Sequence, residues 1–203
     1  MSEWTDEQLM QRFQAGNASP FDLLFQRYRR PLFTFICRML DGDRAAAEDL
    51  LQEIFLKILK ARDLYDPRQK FSTWLFAIAR NHCLNVLRSR GYRDDQETLS
   101  LEAPDPAGSD PAARPTTERL AAHAGGTAHT ERREAAHLLD LALQTLPPTH
   151  REVFLLRAVE GFSHLETAQI LRLSAGNVRI HYLRARQLLQ KELTRLGWEG
   201  ATP

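Results

Sequence analysis

Two runs of helical apolar spacing, separated by only three residues, leave the C-terminal part of this chain one compact solution: a helix-turn-helix. The first run is Ser163-His164-Leu165-Glu166-Thr167-Ala168-Gln169-Ile170-Leu171. Arg172-Leu173-Ser174 joins it to a second run from Ala175 to about Leu189. Ala168, Ile170 and Leu171 supply the buried side of the first helix. Leu173 fills the turn, and Ser174 is placed to cap the second helix, its hydroxyl accepting from an orphan backbone N–H. Val178, Tyr182, Ala185 and Leu189 recur at helical spacing and are expected to face inward. Arg179, His181, Arg184 and Arg186 fall on the other sides. A helix that is apolar behind and carries arginines in front fits the DNA major groove.

The rest of the chain is also helical in pattern, and no convincing strand is seen. A first helix begins at Asp6, N-capped by Thr5, and ends at Gly16-Asn17. A second spans about Pro20 to Leu40, with a break or kink expected near Pro31. Asp41-Gly42-Asp43 is a turn before a third helix, about Arg44 to Ala61. Residues 64–70 form a loop, and a fourth helix starts at Ser72 or Thr73 and reaches about Arg90. Over 91–134 the periodicity stops: Pro104, Pro106, Gly108, Pro111, Pro115, Gly125 and Gly126 interrupt it. This segment holds five Lys and Arg against nine Asp and Glu, so it is acidic. It is expected to be a tether, extended or disordered when free. Helical spacing resumes at Ala135 and stops at Pro147-Pro148. Thr149 is positioned to cap the next helix, His150 to Glu160, which Gly161 closes. The expected fold is all-α. A helical domain over 1–90 and a helix-turn-helix domain over 135–197 are joined by the acidic linker 91–134, with a short tail at 198–203.

Composition excludes several classes. A net charge of +1 rules out a generically basic protein, so any DNA-binding character must lie in local patches. No apolar run approaches the roughly 20 residues that span a bilayer. The acidic start from Met1 to Glu7 has no signal-peptide pattern, and the protein is expected in the cytoplasm. Cys37 and Cys83 lie within apolar helical patterns and read as buried reduced thiols. His82 beside Cys83 lacks the further ligands of a zinc site, and neither metal nor cofactor is expected.

Two surfaces invite more than a packing explanation. In the third helix, Ala47, Leu50, Leu51, Ile54, Ile58 and Leu59 form the inward stripe. Asp49, Gln52, Glu53, Leu56 and Lys60 fall on another face, which puts an apolar group among polar ones. A solvated face with a stray leucine and a partner-docking face both fit. In the fourth helix, Leu75, Ile78, Ala79, His82 and Val86 suit the core, while Asn81, Asn85 and Arg88 share a different side. Asparagine amides can read base edges and arginine can hold phosphate. Just upstream, Tyr65, Phe71 and Trp74 alternate with Arg68 and Lys70, a pattern suited to unstacked single-stranded bases. Phe71 and Trp74 as core residues is the competing reading.

These motifs together resemble bacterial sigma factors of the extracytoplasmic-function (ECF) group, in the sigma-70 family. The resemblance is carried by Ala47-Glu48-Asp49-Leu50-Leu51-Gln52-Glu53-Ile54-Phe55-Leu56 and by Phe71-Ser72-Thr73-Trp74-Leu75-Phe76-Ala77-Ile78-Ala79-Arg80-Asn81, with Asn85 and Leu87-Arg88 after it. Towards the C-terminus it rests on Leu146-Pro147-Pro148, Arg151-Glu152-Val153-Phe154, Glu160-Gly161-Phe162-Ser163, Gly176-Asn177-Val178 and Arg184-Ala185-Arg186. It spans nearly the whole chain except the linker. It implies that the first domain is like sigma region 2 and the last like region 4. By resemblance, Asp49, Gln52, Glu53 and Leu56 dock on the β′ clamp helices of core RNA polymerase, and the last domain meets the β flap. The loop near 64–70 resembles one that captures a flipped −10 base, which assigns Tyr65, Arg68, Lys70, Phe71, Trp74, Asn81, Asn85 and Arg88 to −10 promoter DNA. The recognition helix, with Ser174, Asn177, Arg179, Ile180, His181, Leu183 and Arg184, is assigned to a −35 element. The linker resembles the segment that threads towards the polymerase active site. An anti-sigma factor is implied as a regulatory partner.

Asn177, Ile180-His181 and Leu183 depart from the common family pattern. They leave fewer charges facing the duplex, so weaker phosphate contacts are expected. His181 is expected to stay neutral. Two other classes fit less well. A free-standing helix-turn-helix regulator usually dimerises across two half-sites, yet no dimer helix is evident and residues 44–90 would go unexplained. An enzyme is disfavoured, since no Gly-rich phosphate loop, H-E-x-x-H or nucleophile elbow is present. Two small domains on a tether are expected to bind promoter duplex poorly until core polymerase fixes their separation.

Overall fold

The computed structural model describes residues 4–91 and 128–198, with side chains for all of these except 128–133. The expectations for 92–127, which include the Pro/Gly interruptions of the linker, lie outside the described residues, as does the tail beyond Trp198. The described residues contain helices and turns and no strand, and they fall into two compact units.

The first unit holds α1 (Asp6–Gln14), α2 (Ser19–Met39), α3 (Arg44–Lys60), a single 3-10 turn (Arg62–Leu64) and α4 (Phe71–Ser89). Thr5 caps α1 reciprocally: its hydroxyl accepts from Gln8 N, while Gln8 Oε1 accepts from Thr5 N. Gly16, at φ 95°, lets the chain turn sharply into α2. α2 is one continuous helix through Pro31, so the chain does not break there. The missing N–H at Pro31 is tolerated because Leu24, Leu32, Phe35, Ile36 and Met39 hold both halves of α2 in the core. Asp43 caps α3 by accepting from Ala46 N at 3.1 Å.

Two expected core stripes shift. In α3 the buried set is Ala47, Leu50, Ile54, Phe55 and Ile58; Leu51 is half-buried and Leu59 is 37% exposed. Phe55 is drawn into the core by the rings of Phe21 and Phe25 on α2, while Leu59, one turn further on, lies beyond them at the edge of the buried arc. In α4, Leu75 and Ala79 are buried as expected, but Ile78, His82 and Val86 are only half-buried. Phe71, Phe76, Cys83, Leu84 and Leu87 lie deeper. α4 is covered by α1, α2 and α3 together, so its buried arc is wider than one stripe. Cys83 is fully buried, whereas Cys37 is half-buried rather than buried as expected.

The second unit holds α5 (Ala128–Gln144), α6 (Pro148–Phe154) with a π-type turn over Leu155–Val159, α7 (His164–Leu171) and α8 (Ala175–Arg195). α5 starts before the expected Ala135. α6 starts at Pro148 with Pro147 at the cap position, so Thr149 is not its cap. Proline suits the first helical position because the N–H it lacks would have been an orphan there. Arg151 reaches back to Gln144 O at 2.9 Å and satisfies a carbonyl at the end of α5. Gly161, at φ 79°, reverses the chain, and Ser163 opens α7 through a capping box with Glu166. Arg172 adopts the left-handed conformation that ends α7. α8 then packs against α5, α6 and α7, burying Val178, Ala185 and Leu189. It continues to Arg195, past the expected end at Leu189.

No helix among the described residues is long and apolar enough to cross a membrane.

Candidate functional site

The outer face of α3 carries Asp49, Gln52, Glu53 and Lys60, all exposed, around a Leu56 that is 55% exposed. Leu59 joins this face, three residues after Leu56. The sequence pattern had assigned it to the core. The result is an apolar ridge edged by carboxylates and an amide. Such a surface suits a partner helix that offers an apolar groove with basic neighbours. Behind it, His82 of α4 has its Nε2 buried. Burial, then the charge of Lys57, depresses its pKa, while Glu53 acts in the opposite direction.

The loop between the 3-10 turn and α4 differs from expectation in two residues. Tyr65 is 3% exposed and Phe71 is 1% exposed. Their rings meet edge-on at 5.8 Å, Phe71 lies 5.4 Å from Tyr28, and Tyr65 lies 5.2 Å from Trp74. Tyr65 OH donates to Gln69 O at 2.7 Å. Burial first, then the charges of Glu7, Asp66 and Asp6, pushes its phenol up to about 12. Tyr65 and Phe71 are therefore buried in the core of the loop base. The aromatic spacing fits either reading for Phe71; the contact with Tyr28, distant in sequence, decides it. Trp74 is half-buried at the edge of the cluster and remains reachable. Arg68 is exposed but paired with Asp66 at 2.9 Å. That pairing holds the Asp66 carboxyl below its ordinary range, the side-chain hydrogen bond from Arg68 being the largest cause. Lys70 is exposed, and Asn81, Asn85 and Arg88 stand exposed along one side of α4. Lys70 lies beside the aromatic cluster at the start of α4, and the amides and Arg88 extend from it along the helix.

Two residues that shape this loop were not singled out from the sequence. Gln14 Nε2 donates to Arg62 O at 2.8 Å and to Tyr65 O at 2.9 Å, and Glu7 Oε1 accepts from Phe71 N at 3.0 Å. No local signal marks them, since their partners lie 48 to 64 residues away.

On the recognition helix α8, Ser174 Oγ accepts from Asn177 N at 3.1 Å, so this hydroxyl is engaged as a cap. Helical geometry puts Gly176, Ile180, Leu183 and Gln187 along the middle of the outward side, with Arg179 on one flank and Asn177 and Arg184 on the other. Leu183 is 52% exposed, Arg184 is exposed, and Asn177, Arg179 and Ile180 are half-buried. His181 does not belong to this side. Its ring lies edge-on to His150 of α6, with centroids 4.9 Å apart, and the Nδ1 atoms of both rings are buried. Three residues after Val178 and four before Ala185, His181 sits on the margin of the buried stripe. This corrects its expected place among the outward groups.

The His150–His181 pair gives a pH dependence with a definite sign. Burial lowers both pKa values. The charge of Arg184 lowers His181 further, and the charges of His181 and Arg184 lower His150 further. Both rings are thus neutral near pH 7. The unfolded chain binds more protons than the fold at pH values between the depressed values and the ordinary histidine value of about 6.5. Stability from this pair is complete above about pH 6.5 and is lost as pH falls through the window below it. The second unit is expected to melt at a lower temperature at pH 5.5 than at pH 7.5. The His150→Gln/His181→Gln variant, followed by circular dichroism, should show a smaller pH difference. An unchanged difference would place the titration elsewhere.

A helix-turn-helix with arginines flanking its outward side, and a separate helical unit with an aromatic cluster beneath an exposed basic loop, fit one class: a two-part helical protein with two candidate DNA-facing surfaces. Comparison with known proteins sharpens this. Residues 24–93 match the family model of Sigma-70 region 2, and residues 136–189 match that of Sigma-70, region 4. The RNA polymerase sigma factor CarQ of Myxococcus xanthus is 34% identical over 198 residues, covering 95% of this chain and 99% of its own length. The RNA polymerase sigma-H factor of Pseudomonas aeruginosa is 30% identical over 197 residues, covering 95% and 96%. Among solved structures, the sigma factor RpoE of Bartonella quintana, in complex with the anti-sigma factor NepR, superposes with a TM-score of 0.62 at 25% identity, covering 86% of this chain and 96% of that one. CnrH, solved with the cytosolic domain of CnrY, shares the fold with a TM-score of 0.66 at 24% identity, covering 94% of this chain and 97% of that one. The chain belongs to the sigma-70 family of RNA polymerase sigma factors, in its ECF group. It is a transcription initiation factor and not an enzyme. The free-standing regulator is not favoured, since it leaves the region 2 match unexplained.

Proposed function

We propose a division of labour among the three surfaces. The ridge of α3, with Asp49, Gln52, Glu53, Leu56 and now Leu59, docks on the β′ clamp helices of core RNA polymerase. The second unit meets the β flap. Trp74, Arg68 and Lys70, with Asn81, Asn85 and Arg88 of α4, engage a −10 element as it opens. Tyr65 and Phe71 hold the loop from beneath. The outward side of α8 reads a −35 element. Ile180 and Leu183 supply apolar contact of the kind that favours thymine methyl groups, and Arg179 and Arg184 reach phosphates or guanine edges from the flanks.

The observation that carries this reading is the simultaneous exposure of three chemically distinct surfaces on the segments that match regions 2 and 4. RpoE of Bartonella quintana was solved with an anti-sigma factor. By analogy this chain is held inactive by such a partner, and it acts in the cytoplasm, where polymerase meets DNA.

Run-off transcription with core polymerase on fragmented genomic DNA, with and without this protein, tests the reading. New starts sharing −10 and −35 elements are expected. On such a promoter, Asn81→Ala/Asn85→Ala should weaken discrimination at −10 alone, and Arg179→Ala/Arg184→Ala should weaken binding around −35. Losses of about 5- to 100-fold follow from about 1–3 kcal/mol per good base contact. No new starts, with no co-elution with core enzyme, would overturn the proposal.

A further inference from the structure

We infer that α1 is a positioning element for the −10 loop, acting through Gln14 and Glu7; the inference rests on the reading of that loop given above. Gln14 and Glu7 are seven residues apart, two helical turns, and so project from the same side of α1. Gln14 places both amide hydrogens on the loop entrance, at Arg62 O and Tyr65 O. Glu7 takes the loop exit, accepting from Phe71 N. α4 has Lys70 at its cap position and no side-chain cap of its own, so a carboxylate from α1 caps it instead. A negative charge there also favours the positive end of the α4 dipole. The charge of Glu7 is the largest electrostatic influence on the Tyr65 phenol, a second sign that α1 lies against the loop base.

The pins leave only residues 66–70 between them. Even these are tied: Tyr65 OH donates to Gln69 O, and Arg68 N donates to Asp66 Oδ1. α1 is itself fixed. Leu9, Met10 and Phe13 are buried, and Asp6 accepts from both Arg27 and Tyr28 of α2. A loop held at both ends pays little ordering entropy when it takes a base, so the pins convert fold rigidity into −10 affinity. The region 2 match begins at residue 24, so α1 lies outside it. Gln14 and Glu7 are positioning residues and need not touch DNA.

The test uses the full chain in holoenzyme on a promoter mapped by run-off transcription. It compares output from that promoter with output from versions substituted at one −10 base or one −35 base. Gln14→Glu keeps the size but turns acceptors towards two carbonyls. Glu7→Ala removes the cap, and Glu7→Gln retains an acceptor oxygen. Gln14→Glu and Glu7→Ala should each lower the −10 discrimination ratio about 5- to 10-fold, a span set by losing one or two hydrogen bonds' worth of preorganisation. The −35 ratio and core affinity should be unchanged, and Glu7→Gln should restore the −10 ratio. An unchanged −10 ratio, or equal falls at −10, −35 and core binding, would overturn the inference. Asn81→Ala separates the two failures. If it lowers the −10 ratio and the α1 variants do not, the positioning role alone is wrong. If it too leaves the ratio unchanged, the promoter reading of this loop fails and takes the inference with it.

Discussion

Replacing Phe71 with alanine is expected to remove about 3–5 kcal/mol from the stability of the first unit. The ring is 1% exposed and touches Tyr28, Tyr65 and Trp74, while its own backbone N–H is held by Glu7. Truncation would leave a cavity where α1, α2 and the loop base meet at the first turn of α4. Collapse into that cavity is limited because the neighbouring rings are fixed by the Tyr65 bond to Gln69 and the Tyr28 bond to Asp6. Small domains have only about 5–15 kcal/mol in total, so this single change consumes much of the margin. Urea unfolding followed by circular dichroism would register it. With a slope of about 2 kcal/mol per molar, the midpoint should fall by about 2 M. A midpoint matching the parent chain would mean that the ring is not packed as described.

Replacing Leu56 with aspartate is expected to do the reverse: leave the fold intact and abolish assembly. Leu56 is 55% exposed, so little packing is lost, and the propensity penalty within α3 is below about 0.7 kcal/mol. If this ridge docks on core polymerase as proposed, the variant forfeits about 1–1.5 kcal/mol of apolar burial, since about half of the side chain is still open. It also buries an unpaired carboxylate beside Asp49 and Glu53, which adds a further penalty. Together these predict a loss of affinity of about 100-fold or more. Competition between the variant and a labelled parent chain for core enzyme measures it directly, with a thermal melt as the check on folding. Equal competition would move the docking surface off α3.

The two variants mark different kinds of information. Leu56 was visible in the sequence as an apolar residue at a polar helical position, and it stands exposed. Phe71 was legible only as an aromatic near basic residues, a pattern that fits both a core residue and a base-stacking one. The structure separates these because Phe71 lies under Tyr28, and no local spacing encodes that contact. His181 shows the same limit. Its place in α8 put it beside arginines, but α6 brings His150 against it and draws the ring to the margin of the core. Phe55 joins the core for a related reason: helical period leaves the edge of the buried arc open, and the rings of Phe21 and Phe25 on α2 cover Phe55.

By itself the sequence determined what depends on contacts within about four residues. It placed the caps at Thr5 and Ser174, the turn around Leu173, most of the helix spans, and the amide and arginine face of α4. These follow from backbone hydrogen bonding and helical period, which are local. Only the tertiary structure decided which rings are sealed, that Leu59 joins the ridge of α3, and that Glu7 and Gln14 reach across 48 to 64 residues to hold the loop. Those outcomes depend on which helix covers which, and burial is settled between elements rather than within them.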